Sequence, residues 1–204
     1  HDGAAPVTGT FRTAPSGRAP FRFTSFGDQG VDDPTLRGGT AFSSEIVGHI
    51  EAQRPLFNLI NGDLAYSDLN SDPGGAWDKW FRMNQPSTRN RPWMPAAGNH
   101  ENETGNGPTG YRSFTTRYAL PQNGLGRLEG HFYAFTVGAV RFVVLQNDDV
   151  CHQDGGNFYV RGYSGGAQKR WLDRTLAAAR RDRAIDWVVV VMHQLVMSSA
   201  YAGN

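Results

Sequence analysis

The fold is decided by residues 56–66, LFNLINGDLAY, which join a mostly apolar run to a glycine and an acidic side chain. Leu56 to Ile60 is short and follows Pro55, so it is predicted to form a buried β-strand. Gly62-Asp63-Leu64-Ala65-Tyr66 comes directly after it. A carboxylate and a phenol are therefore expected just beyond the carboxyl end of this strand.

Three further segments repeat this arrangement of a strand followed by polar side chains. They are Gly27–Gly30 after the strand 21–26, Gly98–Glu101 after the strand 93–97, and His193 after the strand 187–192. Open α/β sheets bind ligands outside the carboxyl ends of their strands. The side chains offered there are carboxylate, phenol, amide and imidazole, which suit hard and borderline metal ions. We therefore predict most of a two-metal hydrolytic site at this edge.

The remainder of the chain alternates helices and strands. Helices are predicted over 41–53 and about 166–182, with a short helical face at Trp77, Trp80 and Phe81. Two strands, 132–137 and 141–145, are predicted to meet at a turn, and the polar stretch 102–130 is predicted to be a functional loop or a surface excursion. This alternation indicates an α/β fold with a largely parallel central sheet.

Composition narrows the classes of function. The 204 residues suit one domain, or one domain with remnants of another, and 39% hydrophobic with 12% aromatic residues are enough for a real core. The net charge is only +1 and no basic block occurs, which argues against nucleic acid as a partner. The longest apolar run, Trp187 to Met192, is far shorter than the roughly 20 residues that cross a bilayer. The single cysteine, Cys151, cannot form a disulfide within the chain.

Asp28 and Asp63 are the first candidate metal ligands. Each follows a glycine at the end of a strand, and two carboxylates at neighbouring strand ends repel each other unless cations lie between them. One carboxylate can bridge two ions about 3.5–4 Å apart, and we assign that bridge to Asp63. The alternative is that both are ordinary turn aspartates.

Tyr66 is the second kind of candidate. It lies three residues after Asp63, so a helical turn after the strand would bring both side chains to one centre. A phenolate is a hard anionic ligand, and ferric iron is the ion best able to lower the pKa of a tyrosine. The alternative is an aromatic packing residue.

Asn99, His100 and His193 complete the candidate set. The amide oxygen of Asn99 is a neutral hard ligand, or else belongs to a turn. His100 points differently from its neighbour, so it is better placed to contact a substrate phosphoryl oxygen or protonate a leaving group than to share the metal. His193 is either a metal ligand or a hydrogen-bonded core residue. We expect no direct chemistry from His49, His131, His152 or Cys151, and no nucleophile motif surrounds Ser198 and Ser199.

Together these motifs resemble those of the calcineurin-like metallophosphoesterases. Within that superfamily the tyrosine of Gly62-Asp63-Leu64-Ala65-Tyr66 is similar to that of the purple acid phosphatases, and the stretch 21–28 is similar to that of bacterial, actinomycete-like members. The resemblance covers about residues 20–197. It implies an α/β protein with a metallophosphoesterase-like β-sandwich core, flanking helices, and a site at the C-terminal ends of strands.

The resemblance also implies a division of ligands. Asp28, Asp63 and Tyr66 would hold a ferric ion, Fe(III), and Asp63, Asn99 and His193 would hold a divalent metal, either Fe, Zn or Mn. His100 would lie beside the substrate phosphate. The family's GHxH motif adds one histidine to each metal, and it does not occur before Asn204, so five of seven ligand residues are present.

Domain boundaries follow from the same resemblance. Residues 1–19 are interpreted as the remnant of a preceding fibronectin-like β-domain and its linker, with Thr10–Thr13 as its last strand. Residues 20–204 are interpreted as a catalytic domain that is incomplete at its C-terminal end, and its activity on its own is left open.

The expected function of the intact protein is that of an acid phosphatase. Two metal ions would activate a hydroxide that attacks a phosphate monoester in line, and His100 would assist the leaving group. The alternatives are a phosphodiesterase with the same site, an inactive fragment or noncatalytic metal- or phosphate-binding module, and a purely structural domain. The expected partner is a phosphate ester, without nucleic acid or membrane, and the oligomeric state is left open. A secreted or periplasmic location is implied by the family alone.

Overall fold

Two three-stranded sheets form the framework of the protein. The computed structural model describes residues 8–103, 109–149 and 162–195. The first sheet contains β1 (Phe23–Phe26), β2 (Phe57–Asn61) and β3 (Trp93–Ala96) in that order, all parallel. Helix α1 (Ser43–Ala52) connects β1 to β2, and α2 (Pro73–Thr88) connects β2 to β3. Parallel strands require such crossovers, and these put their carboxyl ends at one edge.

The second sheet has a mixed topology. Helix α3 (Arg112–Arg117) precedes β4 (Tyr133–Val137), which pairs antiparallel with β5 (Val140–Val144). Helix α4 (Ala167–Arg181) then leads to β6 (Trp187–Val191), which pairs parallel with β5. The expectation of a single central sheet was wrong because the strands form two sheets, whereas three of the four described strand pairings are parallel as expected. Strands β4 and β5 are joined by a two-residue turn, and a turn that short can only join antiparallel strands.

The two sheets pack together through an aromatic cluster, so the expected sandwich core is confirmed. Phe57 and Leu59 of β2 share this cluster with Tyr133, Phe142 and Val144 of the second sheet. The ring centroids of Phe142 and Phe57 are 5.2 Å apart and nearly perpendicular, an arrangement that aromatic pairs favour. Ile60 lies on the other face of β2, where it packs with Trp77 and Trp80 of α2. The alternation along β2 thus separates the sandwich core from the helix layer.

Helix α2 is longer than the short helical face that its tryptophans predict. It begins at Pro73, where the side chain of Asp72 accepts a hydrogen bond from the backbone N–H of Gly75 at 2.9 Å. An aspartate cap and a proline in the first turn stabilise a helix start, although Gly74 and Gly75 give this stretch the composition of a loop. The polar stretch 102–130 likewise holds more structure than predicted, because it contains α3 with buried Phe114.

Strand β6 is the least buried strand, although its sequence is the most apolar. It lies at the edge of the second sheet and pairs only with β5 in the described part of the chain, so Trp187 is 71% exposed and only Val191 of this strand is buried.

The strand predicted over Thr10–Thr13 does not form, and residues 8–20 contain neither helix nor strand. The proposed domain boundary at residue 19 remains a prediction. Among the described residues, no helix has the length and apolar character needed to cross a membrane.

The sandwich core gives a first prediction. Phe142→Ala should lower the free energy of unfolding by about 3–5 kcal/mol, because it removes a ring with no exposed surface and leaves a cavity between the sheets. Phe42→Ala is the matched control, since Phe42 is 65% exposed and its loss should change stability by less than about 0.5 kcal/mol. Urea denaturation followed by circular dichroism measures both. Equal losses in the two variants would contradict the proposed core.

Candidate metal centre

The loops after β1, β2 and β3 meet at the carboxyl edge of the first sheet. Asp28 follows β1, Asp63 follows β2 and Asn99 follows β3. The backbone N–H of Asp28 donates to the carbonyl of Gly62 at 3.0 Å, and that of Gln29 donates to the carbonyl of Asp63 at 3.1 Å. These bonds continue the pairing of β1 and β2 beyond the strands, so the two aspartates are held side by side.

Three of the predicted ligand residues have a left-handed backbone conformation. Asp28 and Asp63 both have φ of 53°, and Tyr66 has φ of 49°. Aspartate tolerates this region better than most residues, whereas it is costly for tyrosine, by roughly 1–3 kcal/mol. Tyr66 therefore approaches Asp28 through a strained turn and not through the helical turn expected from its spacing; a short 3₁₀ turn begins only at Ser67.

The side chains of all five predicted ligand residues lie together. The Nε2 atom of His193 is 3.2 Å from Oδ2 of Asp63 and 3.1 Å from Oδ1 of Asn99. The Tyr66 hydroxyl donates to Oδ1 of Asp28 at 3.2 Å. One ligand atom each from Asp28, Asp63 and His193 lies within 4.8 Å of the others. Residues from four separate stretches of the chain thus converge on one small volume.

The orientation of His193 suits a ligand role for Nε2. Its Nδ1 atom is 2.8 Å from the carbonyl oxygen of Asn61, the last residue of β2. Because a carbonyl can only accept, Nδ1 carries the proton and donates it. Nε2 is then the atom turned toward the carboxylate of Asp63, and such backbone bonds commonly fix the tautomer of metal-binding histidines.

The centre concentrates negative charge. Burial lowers the pKa of His193, but the hydrogen bond to Asp63 and the charges of Asp63 and Asp28 outweigh it and raise the pKa to about 9. Burial and the same two carboxylates raise the pKa of Tyr66 well above its ordinary value. Without a cation, the site therefore holds protons on both groups. A metal ion would supply the positive charge that those protons now supply.

The residues present fit a metal ion. Two carboxylates, an amide oxygen, an imidazole and a phenol are donors suited to hard and borderline cations, and their spacing permits several to reach one ion. The assignment of particular residues to a ferric or a divalent ion remains a prediction.

His100 lies beside this group and is held by a residue that the sequence analysis missed. Its backbone N–H donates to Oδ1 of Asp63 at 3.0 Å, whereas its ring Nδ1 is 2.9 Å from Oδ2 of Asp68. Burial lowers the pKa of His100, but the hydrogen bond to Asp68 and nearby carboxylates raise it overall. The closeness of Asp68 to the Asp63–Tyr66 motif was the available signal for this pair.

Glu101 is the second residue that was missed. It is 1% exposed, and its carboxylate accepts hydrogen bonds from the backbone N–H groups of Asp63, Leu64 and Gly98 at 2.8, 2.9 and 2.7 Å. Burial and the charge of Asp63 raise its pKa to about 7. Its position next to His100 indicated that Glu101 lies near the centre. Its role depends on backbone N–H groups of another loop, and sequence spacing does not show such contacts.

Two glycines allow the loops to approach so closely. A Cβ atom on Gly98 would lie 2.3 Å from Oδ1 of Asp63, and one on Gly62 would lie 2.7 Å from the Cβ of His193. Any side chain at either position would therefore displace a candidate ligand.

The other two histidines that the structure describes are not part of the candidate ligand group. His49 is exposed on α1, and His131 is buried beside Tyr111 and Tyr163. Cys151, His152, Ser198 and Ser199 lie outside the described residues.

Comparison with known proteins identifies the class. A model of the calcineurin-like phosphoesterase family matches residues 22–201. Because this match spans most of the sequence, the chain belongs to the calcineurin-like phosphoesterase family.

Individual relatives show which members of this family the chain resembles. Uncharacterized protein Rv2577 of Mycobacterium tuberculosis (strain H37Rv) is 56% identical over 216 residues, which cover 100% of this chain and 40% of that protein. Purple acid phosphatase 22 of Arabidopsis thaliana is 30% identical over 190 residues, which cover 90% of this chain and 37% of that protein. The predicted resemblance to purple acid phosphatases is confirmed, and the chain spans only about two fifths of the length of these relatives.

A solved structure supports the fold. A purple acid phosphatase from yellow lupin seeds aligns with a TM-score of 0.68 at 21% identity, covering 94% of this chain and 34% of that one. The α/β fold with flanking helices is therefore confirmed.

The Glu101 carboxylate gives a second prediction. Glu101→Gln should lower the free energy of unfolding by about 1–3 kcal/mol, because the amide replaces one acceptor oxygen with a donor and leaves a buried backbone N–H without a partner. Glu45→Gln on the exposed face of α1 is the control and should change stability by less than about 0.5 kcal/mol. Denaturant titration measures both. A Glu101→Gln variant as stable as the control would contradict this role.

Proposed function

We propose that the chain supplies most of the metal centre of an enzyme that hydrolyses phosphate monoesters, with Fe(III) and a divalent Fe, Zn or Mn ion as metals. One observation carries the proposal: the Asp63 carboxylate lies at the point where Asp28, Asn99 and His193 converge. Similarity to purple acid phosphatases supports the choice of reaction. Because the chain spans about two fifths of the length of these relatives, the activity is proposed for the whole protein.

Each residue has a definite part in this proposal. Asp63 would be the carboxylate shared by both metal ions, because it lies 3.2 Å from Nε2 of His193 and has a ligand atom within 4.8 Å of one from Asp28. When bound, the two metal ions supply positive charge for phosphate oxygens and lower the pKa of water. The left-handed turns hold Asp28, Asp63 and Tyr66 in place before binding, so little reorganisation is needed.

His100 is proposed to act at the leaving group. Asp68 holds its Nδ1 and favours the protonated ring, so the proton on Nε2 is the one available for transfer. The Tyr66 ring, whose centroid lies 4.7 Å from that of His100, restricts the ring on one side. His100 is thereby kept close to the centre without occupying a ligand position.

A phosphodiesterase with the same site is the nearest alternative, and a noncatalytic metal- or phosphate-binding module is the second, because the chain spans about two fifths of its relatives. The proposed partner is a phosphate ester and neither nucleic acid nor membrane. A secreted or periplasmic location is proposed from the resemblance to purple acid phosphatases alone.

The function is tested by hydrolysis of p-nitrophenyl phosphate and its bis-ester, together with metal content. We expect the metal-loaded full-length protein to prefer the monoester. Asp63→Asn in the same protein should lose at least about 100-fold in kcat/KM, since even residues that only support metal ligands contribute 10–100-fold. Asp78→Asn, at an exposed position on α2, is the control and should retain activity.

The other outcomes discriminate among the alternatives. Preference for the bis-ester favours the phosphodiesterase, and metal bound through Asp63 without hydrolysis favours the binding module. Absence of both metal binding and hydrolysis would overturn the proposal.

The proposed role of Tyr66 has its own spectroscopic test. A tyrosinate bound to Fe(III) should give a violet charge-transfer band, and Tyr66→Phe should abolish it at unchanged iron content. Tyr118→Phe is the control, because Tyr118 packs with Trp77 and Trp80 in the helix layer. A colourless, iron-loaded and active wild-type protein would refute the role of Tyr66.

A further inference from the structure

A cavity that shares no lining residue with the metal centre lies between α4 and the outer face of the second sheet. Its volume is about 420 Å³, within the range of small-molecule sites. Its polar lining includes Arg141 of β5, Thr136 of β4 and Arg174 of α4. Thr136 and Arg141 lie opposite each other near the β4–β5 turn. Arg141 is about 10 Å of strand away from Val144, the residue of β5 that pairs with the end of β6, and His193 follows β6.

Arg141 is an unusual residue for the face of a sheet. It is half-buried, and its Nη1 donates to the hydroxyl of Thr136 at 2.9 Å. No carboxylate in the described ranges lies within ion-pair distance of it, and burial lowers the pKa of its guanidinium. A guanidinium has five N–H donors, so most of them are left for water or a ligand. Partial burial of a cation without an anionic partner is costly, and an anion would relieve that cost.

The guanidinium of Arg174 adds a second positive charge to the lining of the cavity. Arg174 lines the opposite wall and is also without an ion-pair partner among the residues that the structure describes. The one acidic lining residue is Asp182, whose Oδ1 already accepts the backbone N–H of Ala184 at 2.9 Å. The polar lining therefore carries a net positive charge.

The surroundings of the cavity are basic as well. Residues 167–183 contain six cationic and two acidic side chains, although the whole chain has a net charge of only +1. Positive charge concentrated along one helix raises the local concentration of anions. The apolar part of the lining includes Trp171 and Ile185, which offer a surface for a hydrocarbon group.

We propose that this cavity binds a small organic oxyanion, with its phosphate or carboxylate head group between Arg141 and Arg174 and its apolar body toward Trp171 and Ile185. Guanidinium groups suit such head groups because their planar N–H pairs match two oxygens at once. The site is separate from the metal centre and does not depend on the proposed hydrolysis.

The test is an NMR titration of the full chain with inorganic phosphate and with benzoate. The signals observed are the side-chain N–H groups of Arg141 and Arg174 and the indole N–H of Trp171, assigned with Trp171→Phe. At about 0.15 M salt, where the Debye length is about 8 Å, saturable shifts are expected with both probes. A stronger response to benzoate identifies a carboxylate ligand with an apolar body, and a stronger response to phosphate identifies a phosphate ligand.

Matched variants separate a site from general attraction. Arg141→Gln should weaken binding by about tenfold or more, since it removes charge-assisted hydrogen bonds. Arg180→Gln removes the same charge from an exposed position on α4 outside the cavity and should leave the affinity unchanged. Asp63→Asn should also leave it unchanged, because it alters only the metal centre. Arg174→Gln replaces Arg141→Gln if the latter does not fold.

Two results would overturn the proposal. One is the absence of saturable shifts at Arg141, Arg174 and Trp171. The other is an equal loss of affinity in Arg141→Gln and Arg180→Gln, which would show diffuse attraction to a basic surface.

Discussion

The buried carboxylate of Glu101 ties two loops of the metal centre together. It accepts backbone N–H groups of Asp63, Leu64 and Gly98, and so fixes the loop after β2 against the loop after β3. Burying a carboxylate near Asp63 is unfavourable, as its raised pKa shows, and three backbone donors offset that cost. These hydrogen bonds connect the two loops at the place where the candidate ligands meet.

The parallel sheet provides the remaining order. Neighbouring strands lie about 4.8 Å apart, so equivalent positions after β1, β2 and β3 bring their side chains within reach of one another. The left-handed turns at Asp28 and Asp63 then direct both carboxylates into the same space. The helix layer and the aromatic sandwich core support this edge from both faces of the sheet.

Residues at strand ends were predictable because local sequence determines them. An apolar run followed by Gly-Asp or Gly-Asn-His indicates both the strand and the side chains beyond it, and the structure places Asp28, Asp63, Asn99 and His193 accordingly. The roles of Asp68 and Glu101 were not predicted because their partners come from other loops.

The division into two sheets and the exposure of Trp187 were not predicted either, since sequence periodicity does not reveal which strands pair or which one lies at an edge. The extent of α2 depended on the Asp72 cap, which outweighs two glycines.

His193 differs from the other candidate ligands in the layer that carries it. Asp28, Asp63 and Asn99 follow strands of the first sheet, whereas His193 follows the exposed edge strand of the second and bonds across to Asn61. The imidazole therefore connects the two sheets through a hydrogen bond. Any event that loosens β6 would move His193 away while the other three donors stay together. If a metal ion binds at this centre, its affinity and the docking of the two layers would therefore be thermodynamically linked.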